Sequence, residues 1–113
     1  MTVYELVKAT GWQALTDATD DEVGSAYVCD MLSWAMSHTQ TGTAWITIQS
    51  HINVVAVASL TGCACVVIPE RIAVAEETLE AARIRGVCII SADCSAYGVS
   101  AELSRLGIGE VSA

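Results

Sequence analysis

A chain of 113 residues can form one compact domain and is too short for a catalytic domain with a separate regulatory one. Hydrophobic residues make up 53% of it and charged ones 16%, so few charges cover the large surface of a small domain, and a homodimer that buries part of that apolar surface is expected. Thirteen acidic against five basic residues give a net charge of -8 with no basic stripe to neutralise phosphates, which argues against nucleic acid and anionic membrane as partners.

Thr2-Val3-Tyr4-Glu5 has the form of a capping box and predicts a short first helix, with Gly11 as its stop. Trp12 to Leu15 reads as a brief strand, Asp17 to Glu22 as a polar acidic loop, and Ser25 to Cys29 as a strand. Asp30 is placed to cap a helix carrying Met31, Leu32, Ala35 and Met36 on one side and ending near Gly42. Ala44 to Ile48 is strand-like. The next segment, Ile52 to Leu60, favours strand by its valines, yet it lies between two strand-like runs with glycine at its end, so a buried crossover helix capped by Ser50 is the reading taken.

Cys63 to Ile68 then reads as a strand closed by Pro69, the only proline. Val74 to Arg85 is helical: Glu76, Glu77 and Glu80 come early and Arg83 and Arg85 late, as the helix dipole prefers, with Ala75, Leu79 and Ala82 inward and Gly86 as stop. Val87 to Ser91 is a further strand, and Ser95 to Leu106 a last helix with Val99, Leu103 and Leu106 inward. Strands apolar on both faces, alternating with helices, are what a parallel sheet covered by helices requires, and a single α/β domain over residues 1–113, three-layered with a mostly parallel sheet, is expected.

The phosphate cradles G-x-x-x-x-G-K-[ST] and G-x-G-x-x-G are missing, so kinase or dehydrogenase chemistry has no visible machinery, and no cofactor is expected. Cys63-x-Cys65 is the closest approach to a metal-ligand spacing, but within a strand the two thiols would point to one face as small core residues. Cys94 with His51 is the conceivable nucleophile and base; a structural histidine and an inert thiol are the plainer reading. The five cysteines form an odd set without a secretory pattern, and the charge-free run Thr39 to Pro69 is broken by Gly42, Gly62 and polar residues, so reduced thiols and a cytoplasmic setting are expected.

The polar cluster Gln49-Ser50-His51-x-Asn53 falls at a strand-to-helix turn, and in a parallel sheet such turns line the carboxyl edge, where ligands bind and N–H groups at a helix start take anions. Gln49, Ser50, His51 and Asn53, with Asp30 from a neighbouring turn, are therefore the candidate ligand-binding residues. Pro69-Glu70 and Ser91-Ala92-Asp93 extend the same polar rim. Pure capping, in which Ser50 and Asn53 satisfy only backbone groups, is the alternative at this point.

From the helix Tyr4-Glu5-Leu6-Val7 to Leu106-Gly107-Ile108, the chain resembles the DRTGG domain family. The most specific stretches are Glu22 to Ser33 and Trp45 to Ala58. Where the family shows Thr-Gly-Gly, this sequence has Gly24-Ser25-Ala26. The resemblance implies a fold like the N-terminal domain of HPr kinase/phosphorylase, itself similar to that of Mur ligases. It also implies a regulatory or dimerising part without catalysis, since standalone relatives lie beside iron-only hydrogenase genes and others adjoin nucleotide-binding CBS modules in pyrophosphatases. A small anionic or nucleotide-like ligand and an enzyme partner follow as expectations, with a purely structural dimerisation module as the alternative.

Overall fold

The computed structural model describes residues 1–112. Its elements, in chain order, are α1 (Val3–Thr10), β1 (Gln13–Ala14), β2 (Ser25–Val28), α2 (Leu32–His38), β3 (Thr43–Ile46), α3 (Asn53–Thr61), β4 (Cys65–Ile68), α4 (Glu76–Arg85), β5 (Ile89–Ser91) and α5 (Ala96–Arg105). The strands form one sheet in the order β1-β5-β4-β3-β2. β2, β3, β4 and β5 run parallel, and β1 pairs antiparallel with β5 through Gln13 opposite Ser91.

Because each successive parallel strand is added on the same side of the last, right-handed crossovers carry α2, α3 and α4 onto one face. The burial pattern agrees. On that face Trp45, Val66 and Ile89, which are register neighbours, pack against Ala35 of α2, Val54 and Ala58 of α3 and Ala82 of α4. On the other, Ile46, Val67 and Ile90 pack against Val3 and Leu6 of α1 and Val99 and Leu103 of α5. The three-layer, mostly parallel architecture is thus the one expected, and the valine-rich segment before Gly62 is a helix. Its tertiary position overrides local strand propensity.

Local signals place several ends well. Thr2 and Glu5 form the reciprocal capping box, and Gly11 ends α1 in the left-handed conformation. Gly42 has φ 85°, and a Cβ there would lie 3.3 Å from the Glu22 carbonyl, so the turn into β3 needs glycine both for its dihedral and for room.

Other expectations are corrected. Asp30 does not cap α2: the N-cap is Met31, without a side-chain bond, because the Asp30 carboxylate is turned toward the next strand end. Met31 and Met36 are exposed; only Ala35 is fully buried on α2, with Leu32 partly so. Ser50 does not cap α3, whose N-cap is Ile52. Ala75 is the exposed N-cap of α4 and not an inward residue; buried Thr78 takes that place. Cys63 precedes β4, so it packs on the α3 side of the sheet while Cys65 faces α1 and α5, and the two thiols do not share a face.

The chain end returns to the sheet. Ala26 donates its N–H to Gly109 and accepts from Val111, so the tail covers the first half of the outer edge of β2. Strand residues alternate the direction of their backbone groups, so Val28, two residues on, turns its N–H and C=O to the same outer side. No helix among the described residues is long and apolar enough to cross a membrane.

Candidate functional site

The turns after β2, β3, β4 and β5 meet at the carboxyl edge. Here the structure brings Asp30 and Gln49 together. One Asp30 carboxylate oxygen accepts from the Thr47 hydroxyl at 3.1 Å and from the Ile48 N–H at 2.9 Å. Gln49 in return donates through Nε2 to the Asp30 carbonyl at 3.0 Å, and its N–H to the Thr47 hydroxyl at 3.1 Å. The Trp45 indole N–H reaches the Cys29 carbonyl at 2.9 Å, so the turn before α2 is clamped to β3 and the turn that follows it.

Ser50, His51 and Asn53 continue along the edge without joining that knot. The Ser50 carbonyl accepts from the buried Thr78 hydroxyl of α4 at 3.1 Å, fastening the turn to the neighbouring helix. His51 is exposed, and its Nδ1 accepts from the Asn53 N–H at 3.2 Å, which assigns the ring proton of the neutral imidazole to Nε2. Val54 and Val55 donate to the carbonyls of His51 and Ile52. The first N–H groups of α3 are thus taken internally, and an anion at this turn is offered the exposed side chains of His51 and Asn53 instead.

One feature of the edge had no glycine or asparagine to announce it. Glu70 and Arg71, directly after Pro69, both adopt positive φ, 63° and 52°. Such residues are strained by their Cβ, by roughly 1–2 kcal/mol each, and backbone bonds from Glu70 to Cys94 (2.8 Å) and from Arg71 to Ala92 (3.0 Å) hold them. The turn sets the Arg71 guanidinium 3.6 Å from the Asp93 carboxylate at the mouth of a cleft of about 530 Å³ floored by Trp12, Leu15, Val74 and Leu79. A second cleft of about 380 Å³ lies between β2 and α5, bordered by Val28, Ile46, Ser100 and Ile108.

Four thiols are pushed above the ordinary thiol range. Burial pushes Cys65 up strongly and Cys88 up to about 12, with the nearby Asp17 charge adding to the latter. Burial also raises Cys63 and Cys94, and Asp93 raises Cys94 further. A thiolate is the form that attacks or binds metal, so these environments disfavour both.

Strand order, helical layers and the polar carboxyl edge define a three-layer α/β domain. No family model matches the chain, and no curated protein matches it. Among solved structures it is similar to the crystal structure of the CBS and DRTGG domains of the regulatory region of Clostridium perfringens pyrophosphatase complexed with activator, diadenosine tetraphosphate. The TM-score is 0.68 at 10% sequence identity, over 88% of this chain and 44% of that one. The likeness is one of fold, and this chain spans less than half the length of that structure's chain.

Proposed function

We propose that this chain is a non-catalytic regulatory domain of the DRTGG type, one domain over residues 1–113, that acts as a homodimer. It receives a small nucleotide-like anion at its carboxyl edge and passes the signal to an enzyme partner, a hydrogenase by the family resemblance. The observation that carries this reading is the shared fold with a pyrophosphatase regulatory region whose structure holds a nucleotide activator. The raised thiols of Cys65 and Cys88 argue against thiolate chemistry at those residues. The ligand-contacting groups are Asn53 and His51, with Gln49, Ser50 and Asp30 as the frame that holds their turn.

Thermal-shift and calorimetric titration with diadenosine tetraphosphate, ATP and AMP tests it. Stabilisation by one of these is expected, and Asn53→Ala should weaken it about tenfold, the effect of losing one hydrogen bond to a charged group. Asn53 is preferred to His51 for this purpose because His51 also holds the start of α3. Binding untouched by Asn53→Ala would remove this turn from the site.

A specific observation favours a second reading, a dimerisation module without a small ligand: the polar groups of Asp30 and Gln49 and the first N–H groups of α3 are already used internally. It predicts no stabilisation by any nucleotide. A nucleotide recovered with the purified protein would count against it.

A further inference from the structure

We infer that the homodimer, on which this step rests, forms through the outer surface of α2 and α3, each copy presenting the same face to the other. No Asp, Glu, Lys or Arg occurs from Met31 to Pro69, so α2, β3, α3 and β4 have no ionisable side chain of these types, and the stretch holds only His38 on α2 and His51 in the turn before α3. Of the nine large hydrophobic side chains that are exposed among the described residues, six lie between positions 28 and 60: Val28, Met31, Trp34, Met36, Ile48 and Leu60. Trp34 and Met36 stand on α2, Leu60 on α3, and Met31 at the α2 N-cap; the two helices pack side by side in the same layer. The third helix of that layer, α4, is different, with Glu76, Glu77, Glu80, Arg83 and Arg85.

Charge selects the occupant. Each copy carries a net -8, and its thirteen carboxylates lie on α1, in the 17–22 loop, at Asp30, and from Glu70 onward. Two copies that met through those parts would set like charges together, whereas the α2–α3 face brings none. An unlike partner of opposite charge would be drawn to the acidic parts by long-range attraction, not to the one uncharged face. A two-fold dimer also needs a self-complementary patch, which a neutral apolar surface supplies. A standard interface takes about 800 Å² per partner, a modest share of the 5797 Å² surface of the chain.

Trp34 is already set for contact. Its indole N–H donates to the Tyr27 hydroxyl at 2.8 Å, and its ring stacks on His38 with centroids 4.0 Å apart. It is nonetheless 51% exposed. A fixed, exposed tryptophan loses little freedom on binding, and tryptophan is among the residue types enriched in the energetic centres of interfaces.

Sedimentation equilibrium of the full chain, over a range of concentrations, tests the assignment. The wild type should have twice the chain mass. Leu60→Glu and Trp34→Glu should each raise the dissociation constant at least tenfold, and Ile84→Glu, at an equally exposed site on α4, should leave it unchanged. All three positions are exposed, and far-UV circular dichroism should show the fold intact. Acrylamide quenching supplies a second readout: Trp12 and Trp45 are buried, so Trp34 dominates the signal, and it should be shielded in the wild-type dimer and open in Leu60→Glu. A wild-type dimer that survives both Leu60→Glu and Trp34→Glu, or that Ile84→Glu breaks, overturns this face and leaves the dimer standing. A monomeric wild type overturns the dimer itself.

Discussion

The carboxylate of Asp30 accepts the backbone N–H of Ile48 at 2.9 Å, joining the turn after β2 to the end of β3 across 18 residues of sequence. The same oxygen takes the Thr47 hydroxyl at 3.1 Å, so one side chain finishes two backbone segments that leave the sheet side by side. An aspartate expected to begin a helix instead closes the sheet edge.

Asp30→Ala should therefore lower stability by about 1.5 kcal/mol, the low end for a hydrogen bond to a charged group because the residue is exposed. Asp30→Asn, whose amide oxygen can still accept, should recover at least half. Urea unfolding measures both. Equal losses for the two variants would mean that charge, not the accepting oxygen, is what matters here.

Thr16 is buried and joins β5 to the segment after β1. Its hydroxyl donates to the Val87 carbonyl at 2.7 Å and accepts from the Ile89 N–H at 2.9 Å. Thr16→Val keeps the shape and removes both bonds, leaving two backbone groups without partners in the interior. The expected cost is about 2–4 kcal/mol, from one to two unsatisfied buried groups, read as a lower urea midpoint with an unchanged slope. A loss under half of that would show that water reaches the site.

Much of the fold was legible in the sequence because period and punctuation agree. Alternating apolar strands and helices with glycines at 11, 62 and 86 gave the layers and most boundaries. Long-range polar pairing was not legible. Asp30, Thr16 and Thr78 each bond a backbone group far along the chain, and their spacing carries no local signature. The candidate site was read in part: the turn from Gln49 to Asn53 does lie at the carboxyl edge, but Ser50 does not cap α3, and it is the His51 ring, one residue before the N-cap Ile52, that accepts the Asn53 N–H. The left-handed pair Glu70–Arg71 was invisible because neither residue type favours that conformation.

That pair gives a stabilising substitution. Glu70→Gly should raise stability by about 0.5–1 kcal/mol, the relief of a left-handed non-glycine residue less the entropy that glycine adds to the unfolded chain. Arg71→Gly should do so by nearly as much even though it deletes the contact to Asp93, because an ion pair at 3.6 Å between two exposed side chains contributes close to nothing. Thermal melts of both variants decide it. Destabilisation by Glu70→Gly would mean that the Glu70 side chain makes a contribution larger than its backbone strain.

The raised thiols fix the direction of the alkaline pH dependence. Below the ordinary thiol value of about 8.5 both folded and unfolded chains keep these protons, and pH has no effect through them. Above it the unfolded chain releases the proton of Cys88 while the fold retains it up to about 12, and Cys65 is retained likewise by burial. Stability should therefore fall as pH rises between about 9 and 11, each thiol adding a slope that approaches 1.4 kcal/mol per pH unit. Cys88→Ala will be less stable at neutral pH through lost packing, but its curve should fall less steeply by one such increment, since the variant lacks this thiol. Parallel curves for wild type and Cys88→Ala, from urea unfolding at each pH, would show that the Cys88 thiol ionises in the folded protein as readily as in the unfolded one.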